Sequence, residues 1–285
     1  MIEQTIEQAL TLTPGRNGEL IADLHGDFSN GPLNAPPERG FPFGGLIAAL
    51  SASAMQQGLE ITAPLRSLSV QYMAAARFGQ TLAFRPRMLR GGRGASFAQV
   101  DVIQGDRLTS HASATFGDDA TGPAMTPLIA TPPLAVLETG RNMEGPLAPR
   151  FSQHVDYRFD ADGPYILKPV EGRAAMERCW MKIRGDRPLD AIGLSYLLDA
   201  LYPPVWTALE RAMGMATVDL RYDILTDPTP ELCPDGWAFF EFRMLDFGAG
   251  WTVDEATVWG ADGTPLALAR QRRKLAPVRP ERAPR

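Results

Sequence analysis

Few residues in this chain are placed to do chemistry, and the clearest is an acid in the wrong company. Ile192, Leu194, Leu197, Leu198 and Leu201 recur at helical spacing over residues 189–201, and Asp199 interrupts that apolar face. A carboxylate there is costly unless it is hydrogen-bonded, and one kept beside apolar surface is a stronger base than one in water. Such a group can take a proton from a water molecule. Arg90, Arg93, Arg272, Arg273 and Lys274 offer local positive charge for an anionic ligand, although a solvated strand face accounts for the same residues. The pair Gly44-Gly45 opens an apolar run, where a missing Cβ permits close approach of a helix start or of a ligand.

Other chemistries lack their residues. There is no Gly-x-Ser-x-Gly elbow for a serine nucleophile and no glycine-rich phosphate loop ending in Lys-Ser or Lys-Thr. His25, His111 and His154 stand without metal-ligand spacing, and Cys179 and Cys233 read as core thiols. No metal and no cofactor is expected. A net charge of −5 gives no general reason to bind nucleic acid or anionic lipid. No basic-then-apolar leader opens the chain and no run of about 18 apolar residues occurs, so a cytoplasmic protein with no membrane contact is expected.

The elements that must hold these residues are written twice. A glycine-led apolar helix from Gly44, buried nearly all round, precedes strand-like runs at 68–72, 81–89, 96–103 and 107–116. A second helix over 189–201, stopped by Pro203-Pro204, precedes runs at 216–225, 237–245, 251–259 and 265–275. Arg87-Met88-Leu89, Gly94 and Gly105-Asp106 find counterparts in Arg243-Met244-Leu245, Gly250 and Asp262-Gly263. Short connections imply antiparallel neighbours, so each copy, 40–116 and 189–276, is an α+β module. Residues 19–24 suit an edge strand, 154–169 a strand pair, and 205–213 a further helical turn or two before Gly214. The intervening stretch is rich in Pro, Gly, Thr and Ala. The expected organisation is an N-terminal domain 1–116, a linker 117–150 and a C-terminal domain 151–285, and 45% hydrophobic residues suffice to give each domain a core.

The Gly44-Gly45 helix, RSLSVQYM, the strands ending ASATF, and the later LSYLLDA, ATVDLRYDIL and GTPLALARQ resemble the acyl-CoA thioesterase II (TesB-like) family from about residue 20 to 276. The resemblance implies a double hotdog, two tandem modules in which a curved antiparallel sheet wraps a central helix. It implies hydrolysis of a fatty acyl-CoA or related thioester to free acid and CoA, and assembly as a homodimer or higher homo-oligomer. Carried over by position, the family's reactive trio falls on Asp199, Thr217 and Gln271. Gly44, Gly45, Arg272 and Arg273 are candidates for contacts to the acyl-CoA. The trio suits water activation without a covalent intermediate, because the hydroxyl and amide can share the carboxylate and a water. Neither helix carries the His that hotdog hydratases pair with an Asp. A non-catalytic acyl-thioester-binding protein or a structural module on the same fold remain the alternatives.

Overall fold

A one-turn helix, α1 (Ile6–Ala9), opens the computed structural model, which describes residues 2–276 apart from 124, 126–128, 136, 144, 146–147 and 161. Two short strands, β1 (Thr13–Pro14) and β2 (Leu20–Ala22), follow it. Helix α2 (Gly44–Gly58) has no polar face to offer water, and every residue from Gly45 to Met55 is buried. Burying Leu46, Ile47, Leu50 and Met55 contributes roughly 1.5–3 kcal/mol each. A helix apolar on all sides must be enclosed, and strands β3 (Leu65–Tyr72), β4 (Leu82–Arg90), β5 (Ser96–Gln104) and β6 (Arg107–Phe116) enclose it.

The second half repeats the plan. Strands β7 (Val155–Phe159) and β8 (Met176–Ile183) precede helix α3 (Ala191–Leu197), and β9 (Met215–Ile224), β10 (Ala238–Gly248), β11 (Trp251–Trp259) and β12 (Pro265–Leu275) follow it. All the strands form one antiparallel sheet in the order β1-β2-β4-β5-β6-β3-β9-β12-β11-β10-β8-β7. The halves meet where β3 pairs β9, from Ser67 opposite Asp223 to Gln71 opposite Asp219, and where α2 packs on α3. This is the double-hotdog arrangement.

The copies agree down to their irregularities. A bulge at Leu89 between β4 and β5 has its counterpart at Leu245 between β10 and β11. Thr109 in β6 corresponds to Leu266 in β12, and Arg66 in β3 to Val218 in β9. Because a bulge inserts one residue and reverses which face the later residues present, matched bulges fix an equivalence between the two sheets residue by residue.

Three expectations need correction. The helix placed at 189–201 closes at Leu197, because the chain then tightens into i→i−3 bonds, Asp199 N to Tyr196 O at 3.4 Å and Ala200 N to Leu197 O at 2.9 Å. Asp199 therefore lies on the turn after the helix. The strand pair placed at 154–169 is β7 alone; its partner β8 lies beyond a loop containing Pro164 and Pro169, which have no N–H for a ladder. The turns expected over 205–213 reduce to one 3₁₀ segment, Pro204–Ala208. The proline-rich stretch between the copies also covers surface: Ile129, Leu134, Ala135 and Leu137 pack on a cluster of Trp180, Phe239 and Trp259, and Trp180 Nε1 donates to Ala135 O at 2.7 Å.

Candidate active site

Helix α2 begins without a side-chain cap, since its N-cap residue is Phe43. The N–H groups of its first turn lack intrahelical partners and carry the positive end of the helix dipole. Asp199 comes up to this helix start from the other half of the molecule, near the Gly45 N–H, without closing off the rest of the first turn. A Cβ on Gly44 would stand 2.7 Å from Asp199 Oδ2, so glycine at this position is what lets the carboxylate approach the helix start. The Gly44 carbonyl in turn accepts a hydrogen bond from Tyr72 at 2.8 Å.

The other side chains arrive from neighbouring strands of the second sheet. Gln271 Nε2 on β12 donates to Asp199 Oδ1 at 3.0 Å and to the Leu198 carbonyl at 3.2 Å. With its amide nitrogen so committed, Gln271 turns Oε1 toward Thr217 Oγ1, 3.4 Å away on β9. Asp199 is 9% exposed and Gln271 4%. Burial pushes the Asp199 carboxyl above the ordinary carboxylate range, while the Arg273 guanidinium, the Gln271 amide and the Gly45 N–H oppose that rise. A carboxylate in this position is a stronger base than one in water, yet retains donors that favour its charged form.

Asp199 and Thr217 open on a cavity of about 680 Å³ between the halves, with Gln271 buried behind them, and its walls include Phe43, Ile47, Phe151, Ile166, Leu201 and Trp206. Phe43 and Phe151 stack at 3.8 Å on one wall. The rest of the lining is also largely apolar, and Asp199, Thr217, Arg273 and Tyr72 are among the polar groups reaching it. That composition fits an apolar chain with a reactive polar end.

Asp199, Thr217 and Gln271 thus stand together, and Gly44 lines the same cavity. Gly45 instead closes the contact between the helices: a Cβ there would meet the Tyr196 carbonyl and the Phe43 ring, each at 2.5 Å. Arg272 is exposed on the outward face, its guanidinium 6.0 Å from the centre of the Trp251 ring. Arg273 points inward and is 8% exposed, held by Asp254 and Thr217 rather than by solvent. Sequence reasoning did not find Asp254, Thr252 or Tyr72. The available signal was Thr252 and Asp254 alternating in phase with Ala256 and Val258, an acid on an inward strand face.

Residues 131–272 match the acyl-CoA thioesterase C-terminal domain and residues 32–117 the acyl-CoA thioesterase N-terminal domain. An uncharacterized protein of Mycobacterium tuberculosis is 26% identical over 251 residues, 80% of this chain and 84% of that protein. Among solved structures, a hot dog fold protein of unknown function from Alicyclobacillus acidocaldarius is similar with a TM-score of 0.84 and 22% identity, covering 97% of this chain and 100% of its own. An acyl-CoA thioesterase II from Mycobacterium marinum is similar with a TM-score of 0.73 and 17% identity, covering 96% and 99%. At these identities the structural likeness speaks for the fold.

Proposed function

The chain belongs to the acyl-CoA thioesterase family, with the N- and C-terminal domains in tandem, and on that premise we propose that it hydrolyses a fatty acyl-CoA or related acyl thioester by direct attack of water. The observation that carries this reading is the meeting of Asp199 and Thr217 at the wall of an apolar cavity, joined behind it by Gln271, whose Nε2 is 3.0 Å from the carboxylate. The acyl chain lies in the cavity, and its thioester carbonyl comes to the start of α2. Asp199 takes a proton from a water that it shares with Thr217, and the water oxygen bonds to the carbonyl carbon. The carbonyl oxygen becomes an oxyanion facing the N–H groups at the α2 N-terminus. The intermediate collapses by breaking the carbon–sulfur bond, and the proton held on Asp199 goes to the departing CoA thiolate. Free acid and CoA result, and no bond to the enzyme forms.

The test is thiol release across acyl-CoAs of increasing chain length, followed by single-turnover hydrolysis in two variants. Asp199→Asn keeps the shape and loses the base, so turnover is expected to fall by about 10²–10⁴-fold with acyl-CoA binding retained. Thr217→Val removes the hydroxyl that pairs with Arg273 and Gln271 and should cost at least about tenfold. Unchanged hydrolysis in Asp199→Asn would put the base elsewhere. Binding without hydrolysis by the unaltered protein over the whole panel would favour a non-catalytic acyl-thioester carrier.

A further inference from the structure

We propose that Arg273 is a fourth member of this site, a positioning residue that holds the Thr217 hydroxyl in the chain of hydrogen bonds ending on Asp199 and, held by Asp254, balances the Asp199 charge. The proposal rests on the hydrolytic reading above for its kinetic consequences, though not for its geometry. Arg273 Nη1 donates to Thr217 Oγ1 at 2.8 Å, and Arg273 Nε donates to Asp254 Oδ2 at 2.7 Å. Thr252 Oγ1 donates to the other Asp254 oxygen at 3.0 Å, so that carboxylate is anchored at both ends. A guanidinium has donors only. Thr217 must therefore accept from Arg273, which leaves its own proton for Gln271 Oε1, while the Gln271 amide donates to Asp199 and to the Leu198 carbonyl. The chain Arg273 to Thr217 to Gln271 to Asp199 runs one way, its sense fixed at both ends: by Arg273, which can only donate, and by the Leu198 carbonyl, which can only accept from Gln271 Nε2. Its Nη2 is also 3.9 Å from Asp199 Oδ1.

The first half of the molecule shows what this frame holds when no such chain is present. By the matched bulges, Thr217 corresponds to Leu65, Gln271 to Ala114, Arg273 to Phe116 and Asp254 to Ala98. All four are buried and apolar. The backbone is satisfied by a hydrocarbon core here, and α2 contains no acid for the set to serve. In the second half the polar residues occur together: Arg273 and Asp254, 8% and 2% exposed, accompany the trio into the interior. A buried ion pair seldom stabilises relative to apolar residues of similar size. Their common occurrence beside Asp199, with Arg273 Nη2 3.9 Å from its carboxylate, ties the pair to that acid.

The experiment compares the full-length protein with Arg273→Lys, Arg273→Met and the double variant Asp254→Val with Arg273→Met. The double variant removes both charges and copies the apolar state of the first half, so it is expected to stay folded, with a melting temperature close to the unaltered protein. The single Met variant strands Asp254 and can lose stability. In the double variant kcat for acyl-CoA hydrolysis is expected to fall by about 10–100-fold with KM little changed, and the acid limb of its pH–rate profile to move to higher pH. Arg273→Lys keeps the charge without the fork, so it should restore the position of the acid limb while recovering kcat only in part. The Asp199 carboxyl is also titrated directly, by NMR on protein carrying ¹³C in its Asp carboxyls, assigned with Asp199→Asn. A folded double variant with unchanged kcat, acid limb and Asp199 titration overturns the proposal. If the unaltered protein hydrolyses no acyl-CoA, the hydrolytic reading falls alone, and the carboxyl titration still decides the role of Arg273: upward movement in the double variant supports it and no movement refutes it.

Discussion

At the scale of the residue, Asp199 ties stability to acidity in a definite sense. Its folded-state acidity is weakened chiefly by burial, against the pull of Arg273 and Gln271. The folded protein thus holds the Asp199 proton more tightly than the unfolded chain does. That contribution to stability is fully present below the ordinary carboxylate range and is lost as pH rises through the raised folded value. Urea midpoints for the unaltered protein and Asp199→Asn, measured from acid to neutral pH, should show the unaltered protein losing ground to the variant as the pH climbs. Buried Glu177, whose carboxyl is also raised by burial, is common to both proteins and drops out of the difference. A gap that widened in favour of the carboxylate with rising pH would mean that its donors outweigh its burial. Asp199 itself was legible in the sequence as a charge on an apolar helical stripe. Thr217 and Gln271 were legible only through resemblance, since a strand threonine and a strand glutamine are ordinary alone. The bond from Arg273 to Thr217 was not legible at all, because it depends on the bulge at Val218 that sets Thr217 opposite Arg273.

At the scale of the element, the loop between β7 and β8 is held by an acid that has no part in the proposed chemistry. Glu177, 1% exposed, accepts hydrogen bonds from the Tyr202 hydroxyl, the Tyr165 N–H at 2.7 Å and the Arg178 N–H at 3.2 Å. Tyr165 carries the Arg173 guanidinium over its ring at 3.8 Å, and its neighbour Ile166 lines the cavity. Tyr202→Phe leaves a buried carboxylate short of a donor and should cost about 1–3 kcal/mol in urea unfolding. The KM for acyl-CoA should rise more than kcat falls, because the loosened loop forms cavity wall and holds none of the trio. A variant as stable as its parent would show that water replaces the hydroxyl. The same region shows why part of the fold escaped sequence reasoning. Strand β8 alternates in burial, but its inward face begins with Glu177 before Cys179, Met181 and Ile183, and its outward face carries Trp180, covered by Ile129, Leu134, Ala135 and Leu137, so polarity does not follow the period as it does in β3. The repeated helices and hairpins were readable because each has one clear period and glycine turns at matched places.

At the scale of the whole molecule, the pairing of β3 with β9 and the packing of α2 on α3 leave neither half a complete surface of its own. Unfolding should therefore be a single transition, and the chain carries a convenient test. All five tryptophans, Trp180, Trp206, Trp237, Trp251 and Trp259, lie in the second half. Their fluorescence reports chiefly on that half, while far-ultraviolet circular dichroism follows both. The two urea curves should coincide. A fluorescence midpoint displaced from the dichroism midpoint would mean that the halves open separately, as domains 1–116 and 151–285 joined by a passive linker would.

The position of Asp199 at the start of α2 has one more consequence. The acid is encoded in the second half and the helix start that receives it in the first, so the reactive centre is a property of their junction. Each half answers to a different test under mutation. Leu65, Ala98, Ala114 and Phe116 are held to size and shape, and replacements there will be felt first in how much folded protein accumulates. Their counterparts Thr217, Asp254, Gln271 and Arg273 are held to the placement of protons, and apolar replacements there, made so that no charge is stranded, can leave abundance intact while turnover falls. The two halves of one chain therefore diverge under separate rules, the first as scaffold and the second as reagent, while the sheet that joins them keeps their registers the same.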